Sequence, residues 1–486
     1  MNKRMIAYVI GILLLCEAGL MLLPTIVAAI YGEAVIKSFI FSIIILLVGG
    51  IILTSFKPEN KTVYSRDSLV IVSLGWIFVS LFGALPFFLS GEIPNYFNAL
   101  FETVSGFTTT GASILSDVEA LSRSMLFWRS FTHWIGGMGV LVFIMAVLPL
   151  AGGGTNLNIM KAESPGPTVG KLVPSSKKTA RILYGMYLFL TVAEMVLLLL
   201  GGMPLFDSVT ISFGTAGTGG FGVLNSSIAG YSTYCQTVIT IFMMLFGVNF
   251  NVYFLLVCRN FKDAFKNQEV RAYFGVILMA IFVITINIKG QFDTIGEAIH
   301  HAAFQVGSII TTTGFATADF NQWPELSKMV LLLLMFIGAC AGSTGGGIKV
   351  SRVILLIKSI GKEIRSVSHP RGVRVITYEG KRVNDDIIRG TTAYLAIYVL
   401  IFVISLLIIS LDKMDMVTNI SATAATLNNI GPGLGAVGPT GNFDCYNGLS
   451  KAVFIINMLL GRLEIFPLLC IMFPSKSRKL FTKKKI

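Results

Sequence analysis

Four short runs in this chain hold residue types that can bind a bare cation without a charged ligand. They are Thr108-Thr109-Thr110-Gly111-Ala112-Ser113, Ala216-Gly217-Thr218-Gly219-Gly220-Phe221, Thr311-Thr312-Thr313-Gly314-Phe315 and Asn428-Asn429-Ile430-Gly431-Pro432-Gly433. Such runs offer closely spaced backbone carbonyls, and Gly permits the dihedrals that let successive carbonyls point one way. Rings of carbonyl oxygens can replace the hydration shell of K⁺. One Thr-Gly run is an ordinary surface turn, whereas four at corresponding places form a repeat. A fifth polar run, Gly342-Ser343-Thr344-Gly345-Gly346-Gly347, interrupts the apolar stretch 326–358. Consecutive glycines inside a helix cost about 1 kcal/mol each relative to Ala. The chain is therefore expected to break there into two half-helices and a loop, which at membrane depth must face a cavity or protein. Arg462 falls near the middle of the last apolar stretch. A charge there costs about 2.5–3.5 kcal/mol or more, so it should face a pore or a partner. Glu464, two residues on, does not share its helix face.

The elements that must position these residues follow from the apolar pattern. Apolar stretches occur at 6–30, 38–55, 68–90, 124–149, 182–202, 234–258, 272–288, 326–358, 390–411 and 451–473. Each is long enough to cross a bilayer, which takes roughly 20 residues, so the chain reads as an all-α polytopic membrane protein. The basic flank Lys3-Arg4 and the long apolar run behind it read as a first transmembrane helix rather than a cleaved leader. Each of the four Gly-bearing runs follows a short semi-apolar stretch, at 97–107, 206–213, 296–310 and 414–427. These are too short to span and suit re-entrant half-helices, whose backbone survives only where it lines a water-filled path. Four such dips in one chain are expected to meet on a pseudo-fourfold axis. The predicted architecture is four helix–pore-helix–helix repeats around a central pore, preceded by two extra helices. The corresponding units are 1–56, 57–150, 151–260, 261–360 and 361–486. The short helices should aim their C-terminal ends, each worth about −0.5 charge, toward the axis.

The composition is 54% hydrophobic and 13% charged, against about 25% charged for soluble domains. The net charge of +13 reads as an orientation signal rather than as nucleic-acid binding. With the N-terminus inside, 30 of the 38 Lys and Arg fall on the inner side, and ten spans place both termini there. The outer segments carry thirteen acidic residues against seven basic ones, which would concentrate cations at an outer vestibule. The six cysteines show no metal-ligand spacing and read as small packing residues. A pairing of Cys235 with Cys445, both near outer helix ends, stays open. Glu17 and Glu194 lie inside apolar stretches, where hydrogen bonding between helices or a snorkelled position is expected. No HExxH, paired-carboxylate site or nucleophile–base set is present, so an enzyme is not expected. A coupled secondary transporter, or symporter, with its site at broken helices is the competing transport reading.

At the four Gly-bearing runs, over nearly the whole length, the sequence resembles the TrkH/KtrB/HKT superfamily of potassium transporters. The two leading helices look like those of TrkH rather than the shorter KtrB. The resemblance implies a K⁺ selectivity filter with one glycine per repeat, at Gly111, Gly219, Gly314 and Gly431. It implies coordinating carbonyls at Thr109, Thr110, Gly217, Thr218, Thr312, Thr313, Asn429 and Ile430. Some Na⁺-preferring relatives have Ser at the first glycine position; Gly111 here implies K⁺. It further implies an intramembrane gating loop at Gly345, Gly346 and Gly347, with Arg462 as a pore cation. A bacterial inner (cytoplasmic) membrane location, a homodimer, and a cytosolic TrkA-like ring of nucleotide-binding regulatory subunits are implied too. K⁺ is then the transported ion, membrane lipid the surroundings, and no organic cofactor or nucleic acid is expected.

Overall fold

The computed structural model describes residues 2–59, 65–139, 176–369 and 374–472. Among them the protein is helical apart from one small antiparallel hairpin, Thr377–Tyr378 with Lys381–Arg382. Six described helices are long and apolar enough to cross a membrane, including Lys3–Tyr31, Arg66–Ser90 and Asp385–Asp412. They carry large exposed apolar side chains such as Phe189, Leu200, Met279 and Leu407, which suits lipid contact. The protein is a multi-pass membrane protein. Residues 140–149, the inner part of the 124–149 span, and the tail beyond 472 lie outside the described residues.

The two leading helices, Lys3–Leu20 and Ile36–Ser55, cross at Gly11 and Gly50. A side chain on Gly11 would come within 2.8 Å of the Leu53 Cβ, so only small residues permit this crossing. Four units follow, each a long helix, a short helix, a loop and a further helix. The short helices are Tyr96–Phe107, Leu205–Gly217, Ile295–Ile310 and Met416–Leu427. Local sequence starts three of them: Asn95, Thr294 and Asp415 each accept a backbone N–H of the first turn. The second begins after Pro204 and runs through Gly217, four residues further than the sequence suggested.

The helices behind the loops are less regular than their apolar runs imply. In the second unit Thr233–Phe246 and Phe250–Val257 meet at a bend of 92°. In the third, Glu325–Ile337 ends before the glycine run and Val350–Ser368 resumes after it, the expected break. In the fourth, Gly448–Arg462 stops at residue 462, because Glu464 and Ile465 adopt positive φ, and Phe466–Met472 follows. Arg462 therefore ends a helix instead of lying in the middle of one. Cys235 and Cys445 are not paired; their sulfurs lie near the carbonyls of Gly201 and Asn442. Glu17 and Glu194 are fully buried and do not snorkel. The Glu17 carboxylate has no hydrogen-bond partner among the described residues.

Candidate functional site

The four loops make the same turn. Each short helix is followed by a non-glycine residue in the left-handed region: Thr109 (φ 56°), Thr218 (φ 54°), Thr312 (φ 60°) and Asn429 (φ 56°). Such a conformation is disfavoured for residues with a Cβ, most of all β-branched ones. The next residue donates its N–H back five positions, from Thr110 to Ser105, Gly219 to Gly214, Thr313 to Ser308 and Ile430 to Ala425, at 2.8–2.9 Å. A glycine with positive φ comes after it: Gly111, Gly220, Gly314 and Gly431. The second loop thus sits one residue later than the sequence register. Gly220, not Gly219, is the geometric counterpart of the other three glycines, and Gly217 is the last residue of the short helix. The cluster of glycines at 217–220 hid this, since only the backbone turn distinguishes them.

The loops close into a ring. A Cβ on Gly111 would overlap the Gly219 carbonyl, one on Gly220 the Thr313 carbonyl, and one on Gly314 the Ile430 carbonyl. One on Gly431 would stand 2.8 Å from the Thr110 carbonyl, which completes the circuit. Each glycine therefore lets the neighbouring loop's carbonyl approach, and the four loops share one axis. All four glycines line a cavity of about 180 Å³ that opens to one side. The C-terminal ends of the four short helices lie directly behind the ring.

Side chains hold the ring from outside. Thr108 and Thr110 hydroxyls bond at 2.8 Å, and Thr311 and Thr313 repeat the pair at 2.7 Å. Asn429 Nδ2 donates to Thr110 Oγ1 at 2.8 Å and to the Met458 carbonyl at 2.9 Å, tying the fourth loop to the first. The helix Arg123–Gly137 supplies a brace between the first two loops. Arg129 Nε donates to Glu102 Oε1 at 2.6 Å and its Nη1 to the Gly222 carbonyl at 3.1 Å. Glu102 in turn accepts the Ser113 hydroxyl and the Ile114 N–H at 3.0 and 3.1 Å. Both charged side chains are almost completely buried, so neither belongs to the outer-face charge to which the sequence count assigned it. One turn on, His133 Nδ1 donates to the Gly106 carbonyl at 2.7 Å, and its ring packs against Gly219. Sequence reading missed this brace. Its signal was an acid inside a short re-entrant stretch and a base inside the following span.

Beneath the ring, on the side away from the cavity, lies the segment 338–349. The Gly346 N–H donates to Thr312 Oγ1 at 2.8 Å, and added Cβ atoms on Gly345 and Gly346 would press on the carbonyls of Thr311 and Asn428. Gly347 packs against Gly338 at the base of the loop. Arg462 reaches the same place. Its Nη1 donates to the Thr344 carbonyl at 3.0 Å and to Thr109 Oγ1 at 3.3 Å, and its Nη2 to the carbonyls of Gly136 and Gly137. The glycine run and Arg462, 115 or more residues apart in the chain, thus touch each other and the underside of the ring. Lys349 and Arg352 both face Glu464, at 3.8 Å in the case of Lys349.

Chemically the site gathers uncharged backbone carbonyls from four loops about one axis. Among the described residues no group of His, Cys, Asp and Glu could hold a resident metal. Fold and site together define a class: helical membrane proteins in which one chain turns four re-entrant loops about a common axis. The chain belongs to the TrkH family of cation transport proteins, whose sequence model matches residues 34–481. It is a transport protein, not an enzyme. It is 37% identical to the Trk system potassium uptake protein TrkH of Salmonella typhimurium, over 98% of this chain and 99% of that one. It is 35% identical to the Trk system potassium uptake protein TrkG of Escherichia coli, over 96% and 97%. The crystal structure of the potassium transporter TrkH from Vibrio parahaemolyticus superposes with a TM-score of 0.88 at 33% identity, covering 98% of this chain and all of that one.

Proposed function

We propose that this chain is the potassium-translocating subunit of a bacterial K⁺ uptake system. K⁺ enters the cavity, loses water to the carbonyls of the four-loop ring, and passes inward past the 338–349 segment. The selecting residues are Thr109, Thr110 and Gly111; Thr218, Gly219 and Gly220; Thr312, Thr313 and Gly314; and Asn429, Ile430 and Gly431. The observation that carries this reading is the closed circuit of glycines and neighbouring carbonyls. Such a circuit sets four backbone oxygens at matched depth without any charged ligand. The short-helix C-termini add partial negative charge behind it.

Gly345, Gly346, Gly347 and Arg462 form the gate. The segment packs on the ring's underside, and the guanidinium adds a positive charge where an ion leaving the ring must pass. The units 57–150, 151–260, 261–360 and 361–486 each supply one loop, and 1–56 packs outside them. The protein sits in the inner membrane with both termini cytoplasmic, as the Lys and Arg distribution supports. It works as a homodimer under a cytosolic TrkA-like nucleotide-binding partner, which the basic inner segments would receive.

The test is ion flux into liposomes containing the purified chain. K⁺ should pass in clear preference to Na⁺, and equal permeation by a folded sample defeats the reading.

A further inference from the structure

One buried acid outside the ring and the gate touches the base of the gate at two points. Glu269 stands in the first turn of Gln268–Ile288 and is 1% exposed. Its Oε1 accepts the Ala341 N–H at 2.6 Å and the Ser351 N–H at 3.1 Å. These two donors bracket the glycine run, one before it and one after. The helix Val350–Ser368 has no side-chain cap of its own, since Lys349 at its start makes none. Glu269 supplies that cap from another element, where a carboxylate is favoured by the helix N-terminus.

The same carboxylate meets the bend of the second unit. Asn249 Nδ2 lies 3.5 Å from Glu269 Oε2, and the bend pairs with the loop's first half through Cys340 N–H to the Gly247 carbonyl and Phe250 N–H to the Gly342 carbonyl. On its other side stands the hairpin 377–382. The Tyr378 hydroxyl lies beside the carboxylate, and Glu379 Oε1 accepts the N–H groups of Gln268 and Glu269 at 2.8 and 3.3 Å. Lys358 Nζ closes the group by donating to Gln268 Oε1 and the Thr377 carbonyl at 3.0 and 2.7 Å.

We propose that Glu269 is a positioning residue for transport: its carboxylate clamps both ends of the 338–349 segment and holds it against the ring. The clamp acts through the segment and touches no ion. It rests on the gate reading above. Hydrogen bonds to a charged acceptor are stronger than neutral ones. Removing the acceptor leaves the segment free at both ends, while the ring, which Glu269 does not touch, keeps its geometry.

The experiment measures K⁺ flux into liposomes by the full chain carrying Glu269→Ala, Glu269→Gln, or a deletion of Gly345–Gly347. Glu269→Ala should raise basal flux about tenfold, in line with the loss of charge-assisted hydrogen bonds. Glu269→Gln keeps volume and one acceptor oxygen and should raise it by a smaller factor, with the K⁺/Na⁺ preference of both variants unchanged. A merely structural residue would lower flux when replaced, so a rise separates the two roles. If the deletion raises flux and neither Glu269 variant does, the clamp is overturned and the gate stands. If none of the three raises flux, the gate reading falls and the clamp with it. If Glu269→Ala fails to fold, Glu269→Gln at or below wild-type flux overturns the clamp.

Discussion

The ring and the segment beneath it are built on opposite principles. In the ring three different sequences, Thr-Thr-Gly (twice), Thr-Gly-Gly and Asn-Ile-Gly, make one turn, with the same signs of φ and the same return hydrogen bond. Within that turn the glycines are needed because a Cβ would block a neighbour, and the side chains that matter brace the ring from outside. Beneath the ring nothing repeats. One unit out of four contributes a glycine run and another contributes Arg462, whose single side chain ties that run to the ring. Backbone geometry can be copied by duplication with drift in sequence. A single guanidinium cannot be copied without placing more charge on the axis.

The comparison breaks most readily at the brace. Arg129→Gln leaves Glu102 buried without its cation, which costs about 3–5 kcal/mol for a buried pair of this kind. The expected outcome is a large drop in thermal stability, read by unfolding in detergent, with poor K⁺/Na⁺ discrimination in what remains. Full discrimination and wild-type stability would mean that the ring does not depend on it.

Next come the ring glycines. Serine at position 111, 220 or 314 places a Cβ into a neighbouring carbonyl and should abolish most of the K⁺ over Na⁺ preference in liposome flux. Serine at 431, where the approach is looser, should do so less. Equal effects at all four would argue for a more symmetric ring than the contacts describe.

The lower region responds in the other direction. Arg462→Ala removes the positive charge and the ties to Thr344 and Thr109, so flux should rise severalfold with selectivity kept. A fall at normal expression would count against a gate.

The smallest effect is expected at the fourth short helix. Asp415 caps it through the Thr418 N–H, and the Thr418 hydroxyl and N–H together hold its carboxyl below the usual aspartate range. A depressed folded-state value stabilises the protein above the unfolded value, and that stability is lost as pH falls through the folded one. Asp415→Ala should therefore cost about 1 kcal/mol at neutral pH, and the difference from wild type should shrink on acidification.

What the sequence made legible follows the same division. The four short helices and their loops could be read because each carries the same local signals, and the glycine run could be read as a break because helices reject it. The register of the second loop could not, since four residues at 217–220 include three glycines and composition does not choose among them. Arg462 was legible as a costly charge, but not its place at a helix end, because positive φ at Glu464 and Ile465 has no glycine to announce it. The brace left a signal that was missed, an acid in a re-entrant stretch and a base in the next span, whereas Glu269 was illegible as a partner: it lies 72 and 82 positions from the two N–H groups it accepts, and those are main-chain groups without a sequence signature.

Covalent linkage of the four units has a consequence for stoichiometry. A tetramer of identical subunits must repeat any wall residue four times, so one arginine would become four cations around a passage meant for cations. A single polypeptide is released from that arithmetic. It can hold the main-chain symmetry of the four loops, and still assign one charge and one glycine-rich segment to one wall each.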